Sequence, residues 1–412
     1  MNILRKVIFV SAAISLLLFH APRSVLSQED SSISLARRNN VFALNLYAKL
    51  KDRDGNIFLS PYSISTALAM TYAGARGDTA TQIAQVFHFE SEQATNNVSF
   101  KRLQKSLNDA GAKGSFELNA VNALWAQKGY AFLPDYLKAV KEDYNAQARE
   151  LDFKNAAEAS RGIINTWVED KTKNKIQDLI PQGVLTDLTR LVLTNAIYFK
   201  GKWESVFKKD MTKDAPFNLI DGTTCQAPMM NKTEEFLYGE DADAQVLSMP
   251  YQGNDLSMVV ILPKEKDGLG RIEKDINIDR VENRLAASGF LKMEAVIVSI
   301  PRFKITSEFE LADTLGSMGM PNAFSESEAD FSGMTGKKDL FIGAVIHKAF
   351  VDVSEEGTEA AAATAVVMMA MAAPGHPVKE IKFIVDHPFL YIIRDNNSGS
   401  ILFMGRITNP LK

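Results

Sequence analysis

The stretch Ser354-Glu355-Glu356-Gly357-Thr358-Glu359-Ala360-Ala361-Ala362-Ala363-Thr364-Ala365-Val366-Val367-Met368-Met369-Ala370-Met371-Ala372-Ala373-Pro374-Gly375-His376-Pro377 runs through small apolar residues without helical periodicity, caps or a charged face. From Thr358 to Met371 it holds no Gly or Pro and a single charge, Glu359. Thr, Val and Met accumulate toward its end, where a β-strand accepts them. Composition alone also allows an alanine-rich helix, because Ala leads the helix scale. The Val366-Val367 pair, the lack of a polar face and the Pro374-Gly375-His376-Pro377 break argue against that helix. As one strand, the fourteen residues from Thr358 to Met371 span roughly 46 Å. A usual strand has five or six residues. The segment therefore predicts an unusual sheet, one that either already buries this strip or can open to receive it.

Outward from the strip, the second half of the chain reads as strands. Val246 to Met249 and Leu256 to Leu262 flank the turn Gln252-Gly253-Asn254-Asp255. Phe389 to Ile393 and Ile401 to Met404 form another hairpin around Asn396-Asn397-Ser398-Gly399, both arms buried. The first half reads as helices. Leu35, Phe42, Leu46 and Leu50 keep helical spacing, and Ser60-Pro61 supplies an N-cap followed by proline in the first turn. The helix from there to about Ala73 is small and apolar all round, which predicts burial. No internal repeat and no Pro/Gly/Ser-rich linker divides the chain, so its 412 residues predict one large domain.

Arg5, Lys6, the apolar run Val7 to Phe19 and a small-residue site ending at Ser27 read as a signal peptide over residues 1–27. The run is too short for a membrane span. Removing it would shift the net charge from -4 to about -7, and nothing suggests a nucleic-acid surface. The single cysteine, Cys225, excludes an internal disulfide. The expectation at this stage is an exported protein, extracellular or periplasmic, with a domain over 28–412 held together by burial alone.

The wider pattern carries a family resemblance. Asn56-Ile57-Phe58-Leu59-Ser60-Pro61-Tyr62-Ser63-Ile64 leads into Ala67-Leu68-Ala69-Met70 and Gly74-Ala75-Arg76-Gly77-Asp78-Thr79. Leu193-Thr194-Asn195-Ala196-Ile197-Tyr198-Phe199-Lys200-Gly201-Lys202-Trp203 follows, then Ile300-Pro301-Arg302-Phe303-Lys304 and Ala329-Asp330-Phe331-Ser332-Gly333-Met334. His387-Pro388-Phe389-Leu390 and Phe403-Met404-Gly405-Arg406 close the series. In this order, from about residue 33 to residue 410, the chain resembles the serpin family. The resemblance implies an α+β fold of eight or nine helices around three β-sheets, with an exposed reactive-centre loop at about 355–377.

Catalysis finds little support in the residues. His88, His347, His376 and His387 are scattered without metal-ligand spacing, and no nucleophile elbow, phosphate loop, dinucleotide fingerprint or cysteine cluster is present. No enzyme activity, metal or cofactor is expected. An exposed, extended apolar strip is instead a good protease target. If it then enters a sheet, it gains ladder hydrogen bonds on both edges, on the order of 10 kcal/mol in total.

That sequence of events is the one the resemblance implies. A serine protease cuts the loop and forms an acyl-enzyme, and the freed loop enters the main sheet, trapping the enzyme in a covalent complex. The trap depends on a metastable native fold. In strand geometry Thr358, Ala360, Ala362, Thr364, Val366 and Met368 face one way and Glu359 the other, and the run Ala360-Ala361-Ala362-Ala363 offers little steric resistance to entry. This favours the inhibitory branch over a carrier, chaperone or storage role.

If Gly357 is the hinge glycine, the family spacing makes Met371-Ala372 the bond attacked, with Met369 and Ala370 as alternatives. Methionine there suits elastase-, chymotrypsin- or subtilisin-like proteases, with cysteine proteases left open. The resemblance also places Ser60, Ser63, Asn195 and His347 under the point where the sheet parts, and Trp203 with Glu355 where the loop enters. As plain sequence these are equally buried core polar groups. The implied state is a monomer exposed to loop-sheet polymerisation. Lys101, Arg102 and Lys105 read as a solvated helical face, and three Asn-x-Ser/Thr sequons begin at Asn97, Asn231 and Asn396.

Overall fold

The computed structural model describes residues 28–114, 116–285, 290–358 and 381–412. The 1–27 segment, Glu359, Ala360, Ala361, Ala362, Ala363, Met369, Ala370, Met371 and Ala372 lie outside the described residues. So does the rest of the strip as far as Pro377.

Two sheets organise the chain. The six-stranded sheet runs in the order Phe303–Glu310, Ile342–Ser354, Gly357–Thr358, Leu191–Lys202, Phe116–Gln127, Gln147–Leu151. The other runs Ile57–Leu59, Ile401–Ile407, Phe389–Asp395, Leu256–Pro263, Ala244–Pro250, Thr224–Glu240, Lys292–Pro301, Ile381–Ile384, with Lys213–Asn218 paired onto Thr224–Glu240. The three sheets expected merge here into two ladders. Thr224–Glu240 is 17 residues long and pairs at different points with Lys213–Asn218, Lys292–Pro301 and Ala244–Pro250, which fuses two sheets along one strand. Ten α-helices are present among the described residues, more than the eight or nine expected. Several of them are short, such as Leu269–Lys274, Ala312–Met318 and Ser332–Thr335.

The six-stranded sheet is buried on both faces, so its central strand reads as a continuous apolar run. Leu191, Leu193, Ile197 and Phe199 belong to the main core, while Val192, Ala196 and Tyr198 belong to a second core under the helix Phe153–Lys171. Helix Pro61–Gly74 threads between the sheets, and every residue in it except Ala73 is buried. Its start follows from the sequence: Ser60 is the N-cap, its side chain accepting from the Ser63 amide at 3.2 Å, and Pro61 opens the first turn. Among the described residues no helix is long and apolar enough to cross a membrane.

Candidate functional site

The strands Leu191–Lys202 and Ile342–Ser354 pair directly and in parallel from Ile342/Leu191 to Phe350/Tyr198. Beyond that seam the strands separate, and Gly357–Thr358 fills the gap. Thr358 pairs with Val353 on one side and Gly201 on the other. Gly357 has φ +143°, and a Cβ there would collide with the Gly201 carbonyl, so both conformation and space require glycine. Gly201 is constrained in turn, because its Cβ would lie 2.9 Å from the Tyr251 ring. The hydroxyl of Thr358 sits 2.8 Å from that of Tyr251, and both residues are fully buried.

The residues leading into Gly357 are pinned. Trp203 donates its amide to the Glu356 carbonyl at 3.0 Å and its indole N–H to the Ser354 carbonyl at 2.9 Å. Phe207 donates to the Glu355 carbonyl at 2.8 Å. The buried Glu355 carboxylate accepts from the Thr212 hydroxyl at 2.8 Å and lies 3.7 Å from Arg302 Nε, while Glu356 pairs with Lys209 at 2.8 Å. Trp203 thus bonds the residues on either side of Glu355, and Glu355 itself is held by Phe207 and Thr212.

Lower in the seam, His347 and Asn195 are register partners across the two strands. The Ser60 amide donates to His347 Nε2 at 3.1 Å, so Nδ1 carries the ring proton and donates to Asn195 Oδ1. Asn195 Nδ2 donates to Ser63 Oγ and to Asn122 Oδ1, and Ser60 Oγ donates to the Leu402 carbonyl at 2.6 Å. Ser60, Ser63, Asn195 and His347 thus form one network across the seam. Asn122 belongs to it too and was missed. Its signal was an amide beside the buried apolar run Ala123 to Ala126.

Burial holds His347 neutral, its pKa pushed down to about 3. The sign follows: above the ordinary histidine value near 6.5 the group is neutral folded or unfolded, and below it only the unfolded chain takes the proton. Stability is therefore lost as pH falls from about 6.5 toward 3, by about 3 kcal/mol at pH 4.5 from this group alone. Thermal midpoints of wild type and His347→Gln are expected to converge by a few degrees between pH 6.5 and 4.5. Parallel pH profiles would show that His347 contributes no such term.

Elsewhere, Lys101 pairs with Asp143 and Lys105 with Asp109, as a solvated helix face would. The sequon asparagines are all engaged: Asn97 accepts from Tyr144, Asn231 donates to the Met211 and Met229 carbonyls, and Asn396 donates to the Asn254 carbonyl.

Comparison with known proteins agrees with this geometry. The family model Serpin (serine protease inhibitor) matches residues 37–410, and the chain belongs to the serpin family. It is 42% identical over 385 residues to the human leukocyte elastase inhibitor, covering 91% of this chain and 99% of the relative. Human serpin B4 is 41% identical over 395 residues, covering 92% and 100%. The crystal structure of Serpin48, a highly specific serpin of the insect Tenebrio molitor, superposes with a TM-score of 0.81 at 33% identity, covering 91% of this chain and 98% of that one. Serpins are protease inhibitors, not catalytic enzymes, and these relatives support protease inhibition here.

They also correct one expectation. The leukocyte elastase inhibitors and serpin B4 are intracellular serpins without signal peptides, which overturns the reading of this protein as secreted, extracellular or periplasmic on the strength of residues 1–27. An apolar run after two basic residues is a short pattern that nothing in the fold cross-checks.

Proposed function

We propose that the protein is an irreversible suicide-substrate inhibitor of serine proteases with elastase-, chymotrypsin- or subtilisin-like preference. Met371-Ala372 is the bond attacked. The protease serine Oγ adds to the Met371 carbonyl carbon, the C–N bond breaks, and the Ala372 amine leaves with a proton, so an ester joins enzyme and inhibitor. Residues from Glu359 onward then continue the strand that Gly357–Thr358 begins. The parallel seam parts, and the tethered enzyme is carried away before water can cleave the ester.

The observation that carries this reading is the double pairing of Thr358. The chain already enters the sheet at the open end of a seam whose next contacts, from Phe350/Tyr198 down to His347/Asn195, must separate for more of it to follow. Gating by the Ser60–Ser63–Asn195–His347 network follows, since these side chains bond strands that part and rejoin. The names of the leukocyte elastase inhibitors support an elastase-like target. The protein acts as a monomer, and a seam that admits its own loop also admits a neighbour's, which makes loop-sheet polymers its characteristic failure.

An elastase-like protease mixed with the protein is expected to give a covalent complex stable in SDS. Clean cutting without a complex would place it instead among the non-inhibitory serpins, with a carrier, chaperone or storage role.

A further inference from the structure

We propose that Tyr251 is a positioning residue for loop insertion: its hydroxyl seats Thr358 between the two seam strands before any bond is cut. The inference rests on the inhibitory reading above and names a residue that controls it.

Tyr251 follows the strand Ala244–Pro250 and is fully buried. Its ring stacks on Trp203 at 4.7 Å between centroids and 11° between planes, and meets Phe199 edge-on at 5.1 Å and 81°. Its backbone is held as well: its amide donates to the Leu256 carbonyl at 3.0 Å, and the next amide, that of Gln252, donates to the Lys202 carbonyl at 2.8 Å. Phe199, Gly201 and Lys202 belong to one wall of the gap and Trp203 directly follows them, so the phenol is fixed to that wall. Burial keeps it protonated, its pKa well above the usual tyrosine value. Its hydroxyl lies 2.8 Å from Thr358 Oγ1.

Backbone pairing of Thr358 would be the same for almost any residue. The bond to Tyr251 is what favours a hydroxyl at this position. It matters because the first residue of an entering strand loses conformational freedom before neighbouring rungs repay it. A residue already seated removes that initial cost from the race between insertion and hydrolysis of the acyl-enzyme.

Tyr251→Phe keeps the stacked and edge-on contacts and removes only the hydroxyl, and Thr358→Val keeps the partner's shape. The readout is the ratio of cut, free protein to trapped complex after reaction with an elastase-like protease, because that ratio scales inversely with the insertion rate. One neutral hydrogen bond corresponds to a factor of roughly 2 to 10. Each variant is expected to raise the ratio by that factor while the melting temperature of the uncut protein moves by a few degrees at most. The double variant is expected to be no worse than either single one, since the same bond is lost. A wild type that traps protease while both variants partition as it does would overturn this inference alone. Single-variant effects that multiply in the double variant, or a lowered melting temperature with unchanged partition, would overturn it too. A wild type that is cut without trapping any protease would overturn the inhibitory reading and this inference with it.

Discussion

Thr358→Arg is expected to turn the protein from a protease trap into a protease substrate, with cut, free chain replacing the covalent complex on an SDS gel. Thr358 has no exposed surface, is paired on both edges, and directs its hydroxyl to the buried phenol of Tyr251. A guanidinium in that place gives up its hydration beside Tyr251, in a pocket sized for a methyl and a hydroxyl. An uncompensated buried charge costs about 3–5 kcal/mol, which corresponds to an insertion roughly two to four powers of ten slower. Hydrolysis of the acyl-enzyme then wins. Thr358→Ser, which keeps the hydroxyl and adds no bulk, should still form the complex. If Thr358→Arg gave as much complex as wild type, entry of the chain at this position could not be a step in trapping.

Much of this site was legible because local chemistry and global fold agree. Ser60-Pro61 marks a helix start in any context, and the apolar helix behind it had to be buried. The run Leu193 to Trp203 was matched to the family pattern by resemblance, and the structure covers the strand Leu191–Lys202 on both faces. The resemblance implied a hinge glycine at Gly357, and the clash awaiting a Cβ there shows why that position is glycine.

Other parts lie beyond a linear reading. Tyr251 looks like the end of a strand before a turn, and its importance comes from Thr358, 107 residues away. Arg302 sits between Pro301 and Phe303 and gains meaning only from Glu355 across the sheet. Asn122 differs from Asn119 only in being buried next to Asn195, which register alone decides. The N-terminal run misled for the opposite reason: two basic residues before an apolar stretch are a clear pattern, but a short one.

The central claim is that the native chain is held kinetically above a more stable arrangement. In the uncut protein the parallel rungs between 342–350 and 191–198 close the seam. A fully inserted loop would replace that one parallel ladder by two antiparallel ones, adding rungs worth roughly 0.5–1.5 kcal/mol each and on the order of 10 kcal/mol together. At an unfolding entropy of about 2.1 cal/mol/K per residue, a domain of this size gains about 10 °C or more. The direct measurement is the melting temperature before and after nicking the loop with a trace of protease that is then removed. The account predicts a rise of at least that size in the nicked protein. An unchanged or lowered melting temperature would contradict it.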